Sequence, residues 1–129
     1  MKCYKCKAGT CRPWKGPMTL MGEEIVALGD RCAKCGEITS SLDDTHRNFQ
    51  AACVAVVERG IRKGNELAIV RKQAGLKAVE LAELLDVRPE TVSRWERGEV
   101  EIPLWASVIV GGLFSHPRIF RQSLLAAAR

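Results

Sequence analysis

Only two histidines, His46 and His116, occur among the 129 residues, and neither stands with a cysteine, serine or second histidine at the spacing of a catalytic pair. No paired carboxylates are assembled by spacing, and no glycine-rich phosphate loop follows a strand, so an enzyme is the weakest class for this chain. The longest uncharged stretch, Ile102 to Ser115, is shorter than the roughly 20 residues a bilayer crossing needs. Pro103 and the pair Gly111-Gly112 also interrupt it. No apolar segment follows Met1-Lys2-Cys3-Tyr4-Lys5-Cys6, so no secretory signal is read and a cytoplasmic location is expected. Internal repeats and low-complexity tracts are absent, while 47% hydrophobic and 27% charged residues mark an ordinary folded chain.

What is abundant is cysteine. In a reducing compartment six cysteines point to metal rather than disulfides. Cys3-x-x-Cys6 and Cys32-x-x-Cys35 are two identical knuckles, 25 residues apart, each able to turn two sulfurs toward one tetrahedral ion. One structural Zn2+ held by Cys3, Cys6, Cys32 and Cys35 is the expected site; a redox or iron role and unliganded thiols are the weaker readings. Four protein ligands leave no open position for water, which disfavours catalytic zinc. Cys53 falls on the apolar face of a helix and reads as core. Cys11 reads first as a tolerated thiol near the ribbon, with replacement of a ligand or reaction with oxidants as the weaker readings, and His46 reads as a surface residue.

Residues 1 to about 37 show no helical period. Met18 to Met21 and Ile25 to Leu28 predict two short strands joined by a turn at Gly22-Glu23-Glu24. Phe49, Ala52, Cys53, Val56 and Val57 then recur at helical spacing, and Ser41 with Asp44 offers a cap and an acidic first turn, so a helix over Asp43 to Arg59 is expected. Gly60 and Gly64 bracket a break, placing the domain boundary there: a ribbon domain with its following helix over 1–60 and a DNA-binding and dimerisation domain over 61–129. Three short helices follow, ending near Gly75, Val87 and Gly98, then a helix from Leu104 to Phe114 and a last segment from Ile119 to Ala128. The fold class is mainly α, a small four-cysteine zinc ribbon of short strands followed by a five-helix unit.

From Leu67 to Gly98 the order and spacing are those of a helix-turn-helix. Small Ala82 lets two helices approach, while Leu81, Leu85, Val87, Val92 and Trp95 fill the space between them. Glu90, Ser93 and Arg94 share the outward face of the third helix, with Thr91 and Arg97 beside it, and that face suits the major groove. Arg94 can donate twice to a guanine edge and Glu90 can accept from a cytosine amino group, which predicts G·C pairs in the half-site. Arg97, Lys72 and Lys77 suit phosphates. A packing unit without a nucleic-acid role, and solvated surface charge for Glu90 or Arg94 singly, are the alternatives. The formal charge of +5 fits a polyanion without proving one. If the four thiolates hold zinc, the site contributes about −2 and the positive excess belongs to the C-terminal half.

With both halves in view, the chain resembles the MqsA family of antitoxins, in which a zinc ribbon precedes a helix-turn-helix of the Xre and Cro type. The opening Met1-Lys2-Cys3-x-x-Cys6, the knuckle Cys32-Ala33-Lys34-Cys35 followed by Gly36-Glu37, the linking helix and Ser93-Arg94-Trp95-Glu96-Arg97-Gly98 carry the resemblance over nearly the whole chain. It implies a homodimer joined through the C-terminal domains that binds a palindrome in its own promoter. It also implies an N-terminal ribbon that masks a cognate toxin, typically an mRNA-cleaving ribonuclease. Lys77-Ala78 stands where many Xre-type domains have Thr-Gln, and Arg88-Pro89 where they have a serine cap and a glutamine, implying fewer direct base contacts. A stand-alone zinc-containing regulator of the Xre type is the second reading.

Overall fold

The computed structural model describes residues 2–127. Among them are three strands, β1 (Cys11–Leu20), β2 (Glu23–Cys32) and β3 (Ile38–Thr39), and six helices, α1 (Leu42–Arg59), α2 (Gly64–Gln73), α3 (Ala78–Leu85), α4 (Pro89–Glu96), α5 (Leu104–Ser115) and α6 (Pro117–Ala127). The expected end of the last helix at Ala128 lies outside the described residues. The class is as expected, a small antiparallel strand unit with a cysteine cluster followed by helices. No described helix is long and apolar enough to cross a membrane.

The strands are longer than the sequence suggested, and their turn lies elsewhere. Leu20 pairs with Glu23, so the connection is Met21-Gly22, both with positive φ (55° and 75°), as a two-residue hairpin turn matched to the strand twist requires. Gly22 supplies this conformation freely, whereas Met21 carries no signal for it. Glu23 and Glu24 are thereby drawn into β2. The strands run on to Cys11 opposite Cys32, and β3 pairs with β2 to give the order β1-β2-β3. Pro13 and Pro17 are tolerated because β1 is an edge strand.

The chain divides into two compact units, one ending at Ala52 and the other starting at Cys53. This division falls inside α1, ahead of the expected boundary at residue 60, because the burial of α1 changes partners along its length. In the first unit Ile25, Ala27 and Ala52 form a core flanked by Trp14, Met18, Leu20, Met21 and Ala51. The Ser41 hydroxyl caps α1 by accepting from the Asp44 N–H at 3.1 Å. Asn48, 5% exposed, closes the β2 backbone: its Oδ1 accepts from the Leu28 N–H at 2.8 Å and its Nδ2 donates to the Leu28 carbonyl at 3.0 Å. A buried amide satisfied on both sides specifies this register.

In the second unit Cys53 and Val56 are fully buried, and a Cβ added at Gly111 would stand 3.1 Å from Val57. The Gly60 to Gly64 segment breaks the helices as expected but is held in place. The buried Ser107 hydroxyl accepts from the Ile61 N–H at 3.1 Å and donates to the Ile61 carbonyl at 3.0 Å. Gly64 opens α2 against the end of α4, where a Cβ would fall 2.3 Å from the Trp95 carbonyl oxygen. Backbone-to-backbone packing this close admits no side chain.

Glu66, 3% exposed, receives the Arg59 guanidinium and accepts from the N–H groups of Arg62 (3.1 Å) and Lys63 (3.0 Å). Burial alone would raise its pKa, but Arg59 and the two N–H groups outweigh it and hold the carboxyl below the ordinary carboxylate range. A depressed folded-state pKa gives stability that is present above the unfolded value of about 4.3 and lost as pH falls through the folded one. Glu66→Gln should therefore unfold at lower urea than the parent at neutral pH. The gap should close progressively as the titration is carried below about pH 4, and a gap independent of pH would assign the loss to packing.

Candidate functional sites: a four-sulfur cluster and a helix-turn-helix

The two knuckles are built alike. The Lys7 N–H donates to the Cys3 carbonyl at 2.9 Å and the Gly36 N–H to the Cys32 carbonyl at 3.0 Å. Each closing residue has positive φ, 58° at Lys7 and 77° at Gly36. These turns bring the four expected sulfurs together: Cys3 and Cys35 are 3.6 Å apart, Cys6 and Cys32 3.7 Å, and all four lie within 4.8 Å of one another. A tetrahedron with metal–sulfur bonds of about 2.3 Å has edges of about 3.8 Å, close to these two separations, so the four thiols could hold one ion. Backbone N–H groups also point at the sulfurs, Gly9 at Cys6 (3.3 Å) and Lys34 at Cys32 (3.4 Å). The N–H groups of Ala8 and Gly9 lower the Cys6 thiol to about 6. Cys35, despite the N–H of Glu37, is pushed up to about 12 by burial and by the thiols of Cys3, Cys32 and Cys6.

Cys53 is core as expected, and burial pushes its thiol up to about 11. His46 is exposed on α1. Cys11 stands outside the four-sulfur cluster. Beside that cluster lies a basic hollow that no motif in the sequence announces. Arg12 and Arg31 face each other across β1 and β2 and, with Trp14 and Lys34, line a concavity of about 600 Å³. Like charges placed directly opposite cost stability, so an anionic group seated here would be favoured.

The second site is built by three matched helix ends. After α2 the Leu76 N–H reaches the Arg71 carbonyl and the Gly75 N–H that of Lys72. After α3 Val87 reaches Ala82 and Asp86 reaches Glu83, and after α4 Glu99 reaches Arg94 and Gly98 reaches Trp95. Gly75, Asp86 and Gly98 take the left-handed conformation that this closure needs. Pro89 then starts α4 at its first position. Inside, Leu81, Ala82, Val92 and Trp95 are buried, and Trp95 meets Trp105 edge to face at 5.9 Å.

One interaction had no local signal in the sequence. Arg71, 8% exposed, donates from Nε and Nη2 to the Glu96 carboxylate at 2.7 and 3.0 Å and from Nη1 to the Leu76 carbonyl at 2.9 Å. It fastens α2 to both α4 and the turn before α3.

On the outward side of α4, Glu90 and Arg94 are exposed, with Thr91 and Ser93 half-buried beside them. Lys72 and Lys77 stand at the end of α2 and the start of α3. The Arg97 guanidinium is already occupied: it donates to Ser93 Oγ at 2.9 Å and forks onto Glu99 at 3.2 and 3.1 Å. Residues 67–104 match the helix-turn-helix family model. This stretch is a DNA-binding helix-turn-helix of the Xre type, running from within α2 to the first residue of α5, and it covers less than half of the chain. No curated protein matches the chain.

Proposed function

We propose that the chain is an antitoxin and transcriptional autorepressor of a type II toxin-antitoxin system, acting in the cytoplasm as a homodimer on palindromic promoter DNA. The observation that carries the reading is the combination of a four-sulfur metal cluster with an Xre-type helix-turn-helix in the same chain. In this reading the ion is structural Zn2+, for which an all-thiolate tetrahedral donor set is suited. It would be held by Cys3, Cys6, Cys32 and Cys35, and the ribbon binds the cognate toxin. The dimer reading is supported by α5, which carries no charged residue, yet leaves Leu104 and Val108 81% and 60% exposed. A helix apolar all round belongs in a buried place. Two copies related by a two-fold axis would meet two half-sites about one helical turn apart.

Glu90 and Arg94 read base edges, Ser93 and Thr91 flank them, and Lys72 and Lys77 meet phosphates. Arg97 joins them on exchanging Glu99 for a phosphate oxygen. Arg94→Ala should cost about 1 to 3 kcal/mol on the operator and less on random duplex, measured by fluorescence anisotropy at fixed salt. An equal loss on both would remove the base-reading role. The toxin half is tested by expressing the neighbouring small reading frame alone and together with this protein. Growth arrest by the neighbour, rescue and a co-purifying complex are expected. No toxicity and no complex would leave a stand-alone metal-containing regulator.

A further inference from the structure

Cys11 has no part in the metal cluster or the helix-turn-helix, yet it stands directly opposite one of the ligands, Cys32, in the β1–β2 ladder. Opposed residues of antiparallel strands alternate between pairs that exchange hydrogen bonds and pairs that do not. Two observations fix the phase here. The Ala33 N–H donates to the Thr10 carbonyl at 3.1 Å, just outside the Cys11–Cys32 pair, as it does when that pair exchanges no bonds of its own. Pro13 and Pro17, which share the phase of Cys11 along β1, have no N–H to give, which suits the positions where an edge strand makes no bond to its partner. Cys11 and Cys32 are therefore a non-hydrogen-bonded pair. Cα atoms in such pairs are about 4.5 Å apart with the side chains on one face, inside the range of about 4.4 to 6.8 Å that a disulfide spans.

We propose that Cys11 and Cys32 are a reversible modification site, at which an oxidant of the peroxide class forms a cross-strand disulfide and thereby releases the metal ion from the cluster. The proposal rests on the metal reading given above. The Cys32 sulfur attacks one peroxide oxygen, the O–O bond breaks, the departing oxygen leaves as hydroxide and is protonated to water, and the sulfur becomes a sulfenic acid. Cys11, giving up its proton, then attacks that sulfur. The S–S bond forms, the S–OH bond breaks, and the hydroxyl leaves as water with the proton. Two thiols are oxidised by two electrons while one peroxide is reduced to two waters. A disulfide sulfur is no longer a thiolate ligand, and a dithiol reductant restores both thiols.

The test uses the full chain with its metal content measured beforehand, treated with hydrogen peroxide in the presence of a chromogenic chelator. Remaining thiols are then blocked and the disulfides mapped by mass spectrometry. The expected result is a Cys11–Cys32 bond formed in step with metal release, reversed by dithiothreitol and added zinc. Cys11→Ser and Cys11→Ala should bind metal before treatment but recover several-fold less of it afterwards, their Cys32 having passed on to irreversible acids. Metal content equal to the parent's before treatment, with a dispersed amide spectrum for residues of β1 and β2, shows that their ribbon is folded. Bonds confined to Cys3, Cys6, Cys32 and Cys35, or recovery in both variants equal to the parent, would overturn the proposal. Protein purified without metal would instead count against the metal reading, and the disulfide map would still decide this one.

Discussion

Cys32→Ser is expected to unfold the ribbon and leave the helical unit standing. The ribbon's core is three buried residues, Ile25, Ala27 and Ala52, with five partly buried neighbours. A unit this small does not bury enough apolar surface to offset its chain entropy. Structural zinc in comparable small folds supplies about 10 to 16 kcal/mol of apparent binding free energy, and a missing thiolate forfeits a large part of it. Cys32 is the severest choice because the residue is 1% exposed and its sulfur lies 3.7 Å from that of Cys6 and accepts from the N–H groups of Lys34 and Cys35. Amide exchange and Trp14 side-chain resonances should report a disordered ribbon, while the thermal transition of the second unit persists. A strong chelator acting on the parent protein should reproduce the pattern. A ribbon that remains folded without metal would show that its apolar contacts suffice.

Arg71→Ala should cost about 3 to 5 kcal/mol, because it strands a carboxylate in a poorly solvated place. The side chains of Arg71 and Glu96 are only 10% and 15% exposed, and the substitution also orphans the Leu76 carbonyl. Replacing both members by leucine should recover most of the loss, since apolar side chains of similar volume often substitute a buried ion pair at little cost. Urea unfolding of the single and double variants separates the two cases. If the double variant is as unstable as the single one, the pair is needed for the seating of α4, and operator binding should be lost with it.

The parts legible in the sequence were those marked by local chemistry. Gly75 and Gly98 announced helix ends, Pro89 and Pro103 helix starts, and Ser41 the cap of α1, each through a backbone preference that acts within a few residues, whereas α6 starts at Pro117, two residues before the expected Ile119. The cysteine knuckles were legible for the same reason. Met21 and Asp86 adopt positive φ that nothing in their own chemistry demands, so the hairpin turn was displaced and the end of α3 lacked its marker. The Arg71–Glu96 pair and the facing of Arg12 by Arg31 arise from contacts between residues distant in sequence, which no spacing rule reveals. The unit division inside α1 carries no such mark, because a glycine shows where a helix breaks, whereas the division lies where an unbroken helix changes what it packs against.

The closure of α2 on α4 has a consequence for how operator preference can change. Everything that seats α4 lies behind it: the close backbone approach at Gly64, the Arg71 fork on Glu96, and buried Val92 and Trp95. The side chains of Glu90 and Arg94 are exposed and enter none of these contacts. Under the proposed reading this face is in effect a replaceable cassette on a fixed mount, and selection could rewrite which promoter is recognised without renegotiating the stability of the domain that presents it.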